Sequence, residues 1–113
     1  MKYMLLIYHD EQRWNAMSEP EREDIYLEYR SLREDLTSRG KFLGGSQLQT
    51  STTASSIRVR DESPLVTDGP FAETHEQLGG YFLIEANDRD EAIAIGVRIP
   101  SARMGTVEVR QLV

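Results

Sequence analysis

TDGPFAETHEQLGGYF, residues 67–82, is the one long run of turn chemistry in this sequence that leads straight into a strongly apolar segment. Asp68-Gly69-Pro70 is a turn cluster: Asp bonds its own backbone, Gly admits positive φ, and Pro holds φ near about −65°. AETHEQL reads as one helical turn built of good helix formers. Gly79-Gly80 is expected to stop it, and YFLIEA (81–86) has the composition of a buried strand. The stretch therefore makes an elbow, a turn of helix and a re-entry into the core. That makes it either an elaborate connection or the wall of a site.

Working outward, KYMLLIY (2–8) is apolar on both alternating faces, as a strand covered on two sides would be. Helices are expected over one face and a second copy of the chain over the other. DEQRWNAM (10–17) reads as a polar connection carrying the sole tryptophan. Ser18-x-x-Glu21 is a capping box with Pro20 in the first turn. Ile25, Tyr29, Leu32 and Leu36 then recur at helical spacing until Gly40. KFLGGSQL (41–48) is a second strand whose Gly44-Gly45 suggests a bulge or a close backbone approach. SIRVR (56–60) and LVT (65–67) read as an exposed hairpin placed before the opening stretch. Asp88-x-x-Glu91 caps a short helix over 89–99 that ends at Pro100. SARMG is a loop, and TVEVRQLV (106–113) alternates as the last strand.

Without the hairpin, the order is β-α-β-β-α-β, the ferredoxin-like split βαβ arrangement, in one domain spanning 1–113. Its antiparallel sheet runs last, first, third, second. Tyr8-His9-Asp10, the Asp68–Phe71 turn and Ser101–Gly105 with Arg103 are then expected at one edge.

The net charge of −6, with no basic run, argues against a nucleic-acid or anionic-membrane partner. There is no cysteine, so thiolate metal sites and cysteine nucleophiles are excluded. No apolar run approaches the roughly 20 residues of a membrane span, and MKYMLLIYHDE lacks a small-residue cleavage site, so a cytoplasmic protein is expected.

The block at 67–86, with MKYMLLIY (1–8), SIRVRD (56–61) and ARMGTVEVR (102–110), resembles the DGPF group of the YCII-related family. The resemblance spans nearly the whole chain. It implies a homodimeric α+β barrel of ferredoxin-like protomers with their sheets facing each other. Some relatives resemble small enzymes that use a His–Asp pair, the histidine lying on the first helix. Here that region reads IYLEYRSL, with Tyr26 and Tyr29 and no histidine, so the pair does not carry over at that position. DGPF proteins also accompany extracytoplasmic-function sigma factors, which implies a stress-response setting.

Two functional readings stand beside each other. One is cofactor-independent acid–base chemistry, lyase- or isomerase-like, on a small anionic molecule in a cleft. The other is a non-catalytic ligand-binding or regulatory protein. Under the first, His9 at a strand end is the candidate base and Asp68 its catalytic partner. Otherwise His9 only bonds the turn, and Asp68 closes an Asx-turn. Neighbouring carboxylates are expected to raise the His9 pKa. Tyr8, Asp10, Tyr29, Phe71 and Arg103 are candidate ligand-binding residues. Arg103 would clamp a carboxylate or else form a surface ion pair, and the tyrosines would donate to a ligand or simply pack. His75 reads as a solvated surface histidine, so with no carboxylate–histidine spacing neither a metal nor a cofactor is expected.

Overall fold

Lys2–His9 forms β1 at the centre of a four-stranded antiparallel sheet in the computed structural model, which covers residues 1–113. The chain continues through helix α1 (Glu11–Ala16), helix α2 (Glu19–Ser38) and β2 (Phe42–Gln47). A short 3-10 turn (Ser51–Thr53) leads into the hairpin β3 (Ser55–Arg60) and β4 (Ser63–Asp68). β5 (Gln77–Glu85), α3 (Arg89–Val97), a second 3-10 turn (Pro100–Arg103) and β6 (Thr106–Gln111) complete it. The sheet order is β2-β5-β1-β6, the expected ferredoxin-like order, with β3-β4 as a separate two-stranded sheet.

The double apolar face of β1 divides as alternation requires. Tyr3, Leu5 and Ile7 are buried beneath the helices, packed with Leu32 and Leu36 of α2, Ala92 and Ile95 of α3, and Phe82 and Ile84 of β5. Met4, Leu6 and Tyr8 point to the opposite face and stay half-buried, as do Tyr81 and Leu83 beside them. α2 begins at the expected capping box, Ser18 accepting from the Glu21 amide while Glu21 reaches back. β2 carries a bulge between Phe42 and Gly44, as its glycine pair suggests.

Several elements depart from the sequence reading. Residues 71–76 form bends, not a helical turn, and Gly79-Gly80 lies inside β5. A single helical turn must meet a nucleation cost for one or two hydrogen bonds. Here Gln77 and Leu78 instead pair with His9 and Tyr8 of β1. The side chain of Gln77 donates to the Thr74 carbonyl at 2.5 Å, and Thr74 Oγ1 donates to the Glu76 carbonyl. Residues 11–16, read as a connection, are helix α1, because the Asp10 carboxylate accepts from the Gln12 amide at 3.0 Å and serves as N-cap. The SARMG loop tightens into the 3-10 turn over Pro100–Arg103, and the partner strand expected at 65–67 extends over Ser63–Asp68.

The hairpin projects. Ile57, Val59, Leu65 and Val66 are each more than half exposed, and the radius of gyration is 15.9 Å, against about 13 Å for a compact chain of this length. Its base is tied where the Gly69 amide donates to the Ala54 carbonyl and Ser56 Oγ donates to the Gly69 carbonyl. No helix is long and apolar enough to cross a membrane.

Candidate functional site

A cleft of about 400 Å³ opens between α2 and the end of the sheet. Its helical wall is a single stripe of α2, Tyr26, Tyr29, Arg30 and Arg33, which follow the three- and four-residue spacing of one helix face. Its floor is Ile7, His9 and the Gly79-Gly80 backbone, with Phe82 deeper. Trp14 of α1 and Ser101 of the second 3-10 turn close the ends, and Ser46 and Gln47 of β2 form the outer rim.

The glycine pair makes room for this cleft. A Cβ on Gly79 would stand 2.8 Å from both Cε1 and Nε2 of His9. One on Gly80 would stand 2.9 Å from the Ser46 carbonyl oxygen. Glycine is thus needed here for close approach, not for ending a helix.

His9 stacks on Trp14 with ring centroids 5.7 Å apart and planes 13° from parallel. Trp14 in turn meets Tyr26 edge-on at 5.6 Å. α1, which carries Trp14, has no buried residue of its own, so polar ties hold it. The Glu11 carboxylate accepts from both the amide and the hydroxyl of Ser51 at 2.6 and 2.7 Å, Gln77 Oε1 accepts from the Glu11 amide, and Arg22 donates to the Trp14 and Met17 carbonyls. These bonds place the indole against the imidazole.

Burial lowers the His9 pKa, outweighing the pull of Glu11, Asp10 and Glu76 in the other direction. The expected rise is therefore overturned: the imidazole has lost more hydration than its carboxylate neighbours restore. Tyr29 donates to or accepts from Ser101 Oγ at 2.8 Å, and burial raises its pKa, so its hydroxyl stays protonated at neutral pH.

Of the candidates named from sequence, the cleft contains His9 and Tyr29. Tyr8 is paired with Leu78 and Thr106 on the opposite sheet face. Asp10 caps α1. Asp68 is exposed at the hairpin base opposite Ser55, does not line the cleft, and its carboxylate accepts no hydrogen bond. Phe71 is 81% exposed. Arg103 takes the ion-pair alternative, holding Glu28 at 2.8 Å on the surface. The edge where β1 ends gathers Thr106 and Glu76, hydrogen-bonded at 2.8 Å, and the segment that pairs with it there is Gln77–Leu78, not the Asp68–Phe71 turn. Sequence reasoning missed Arg30 and Arg33 as cleft residues, although their placement on the Tyr26–Tyr29 stripe was readable from helical spacing.

A family model described as the YCII-related domain matches residues 1–113. The chain is also 34% identical over 114 residues to "Uncharacterized protein R00369" of Rhizobium meliloti (strain 1021), covering 99% of this chain and 92% of that protein. A match that runs the length of the sequence, on a sheet of the expected order, makes this chain a member of the YCII-related family.

Proposed function

We propose that the cleft binds a small anionic molecule and that His9 acts on it as a general base without a cofactor. The observation that carries this is a half-buried imidazole, kept neutral by its surroundings, on the floor of an aromatic-walled cleft. A neutral imidazole accepts a proton at a ring nitrogen, which a histidine already charged at neutral pH does not. In this reading it takes a proton from an acidic carbon of the ligand. Returning that proton to another carbon gives an isomerase; losing a leaving group gives a lyase. The Tyr29–Ser101 hydroxyl pair supplies a donor to the oxygen on which negative charge develops.

One observation favours the alternative, a protein that binds and does not catalyse. The carboxylates near His9 act on it through space and none hydrogen-bonds it, so none fixes its tautomer as a catalytic pair would. The experiment is a screen of small carboxylic acids for protein-dependent deuterium uptake at carbon in heavy water, read by NMR, with wild type and His9→Asn. General-base action predicts uptake that His9→Asn abolishes while binding persists. Binding without uptake in wild type sinks the catalytic reading and supports the binding one.

The protein is also proposed to be a homodimer through the outer sheet face. Both long helices pack on the other side, leaving Met4, Leu6, Tyr8, Tyr81 and Leu83 as one half-exposed apolar surface. Light scattering is expected to give twice the 12.9 kDa chain mass, and Leu6→Arg to halve it. A monomeric wild type would refute the interface.

A further inference from the structure

Arg30 and Arg33 line the cleft and take part in none of the six ion pairs of the chain, nor in any side-chain hydrogen bond. Acidic residues outnumber basic ones 19 to 13, so carboxylate partners are plentiful. Two guanidiniums three residues apart on one helix face repel each other, and neither is held by an ion pair or side-chain hydrogen bond within the chain. The pair places two guanidiniums without an ion-pair partner beside a cleft, in a protein of net charge −6.

The shape of the cleft is equally specific. The lining is aromatic on two elements, with Tyr26 of α2 and Trp14 of α1 in edge contact, while the His9 ring fills the space between Trp14 and Gly79 and the β2 backbone lies against Gly80. The aromatic faces of Tyr26, Trp14 and the stacked His9 bound a slot that suits a flat ring. The anion belongs to carboxylate chemistry more than to phosphate. Planar guanidiniums match a carboxylate's two oxygens, whereas phosphate sites usually add a helix N-terminus or a nest of free backbone amides. The backbone that lines this slot belongs to the paired strands β2 and β5.

We propose that Arg30 and Arg33 grip the carboxylate of a flat, conjugated acid whose ring packs in the slot against Tyr26, Trp14 and His9. This rests on the reading of the cleft as a small-molecule site. It assigns the two arginines as specificity-determining residues and leaves the chemistry to His9.

Trp14 is the sole tryptophan and lines the slot, so quenching of its fluorescence reports occupancy. Three probes separate the two features: a naphthalene carboxylate, its neutral carboxamide, and cyclohexanecarboxylate. The naphthalene carboxylate is expected to bind about tenfold or more tightly than either of the others, as one charge-assisted pairing provides. The double substitution Arg30→Gln with Arg33→Gln should erase its advantage over the carboxamide while leaving carboxamide binding unchanged. Both side chains are exposed, so the fold should survive; rising salt in the wild type, weakening the carboxylate and sparing the carboxamide, gives the same reading without a variant. Equal binding of carboxylate and carboxamide would overturn the clamp and leave the small-molecule cleft standing. Tighter binding of the alicyclic acid would overturn the flat-ring class. Failure of all three to quench would overturn the proposal as a whole, while deuterium uptake from acids of other shapes remains the separate test of the cleft itself.

Discussion

Replacing Gly79 by alanine puts one methyl group where the cleft has no room for it. The new Cβ stands 2.8 Å from Cε1 and Nε2 of His9, which is 0.6 Å inside the 3.4 Å at which ordinary contact begins. The imidazole must move by about that amount, and it is held against the indole of Trp14. Overpacking of this kind costs about 1–3 kcal/mol, or roughly a 1 M drop in urea midpoint for a small domain. Gly44→Ala is the matched control, since a Cβ there meets nothing within 4 Å. By restricting the unfolded chain it should be neutral or stabilising, by up to about 1 kcal/mol. Urea unfolding followed by Trp14 fluorescence reads both variants. The decisive step repeats Gly79→Ala in a His9→Ala background, where the clash has no partner and the cost should largely vanish. A cost of the same size with and without the imidazole would refute the close-approach argument. So would equal midpoints for the Gly79 and Gly44 variants.

Two further outcomes are expected. Because burial lowers the His9 pKa, the unfolded state binds the extra proton first as pH falls. Stability should therefore be fully present above the unfolded histidine value of about 6.5 and decline as pH drops through it towards the folded value. His9→Asn should flatten that slope, and an NMR titration placing His9 above 6.5 would contradict it. Ser18→Ala removes a hydroxyl that accepts from the Glu21 amide and should cost about 1 kcal/mol in urea unfolding, whereas Asp68→Ala, whose carboxylate accepts no hydrogen bond, should lie within experimental error of wild type.

The parts of the fold legible in the sequence are those where one strong signal acts alone. The capping box and apolar stripe of α2 and the alternation of β1 needed no tertiary context to be read. The TDGPF region failed for the opposite reason. AETHEQL has local helix propensity, but its last residues find strand partners in β1, and pairing across the sheet outweighs a single helical turn. Gly79-Gly80 looks like punctuation until the His9 ring and the β2 backbone are seen packed against it. His9 was identifiable as a strand-end histidine, yet the sign of its pKa shift depends on Trp14, which reaches it from a helix read as a loop. Arg103 stood out next to Met104-Gly105, while the cations that line the cleft without an ion pair are Arg30 and Arg33, hidden among eight charged neighbours along α2 whose pairing no sequence pattern reveals.

The order of strands in the sheet has a consequence for synthesis on the ribosome. β1 is translated before both of its hydrogen-bonding neighbours, β5 and β6, residues 77–85 and 106–111. At elongation rates of about 5–20 residues per second, the strand at the centre of the sheet waits roughly 5–20 s before its last partner exists. Until β5 exists KYMLLIY, apolar on both faces, has no strand partner, and one of its edges stays open until β6 follows; such an edge is the kind of segment that recruits other chains. α2 is complete soon after it and carries the Leu32–Leu36 stripe that covers one face. The other face has no intramolecular cover at any stage.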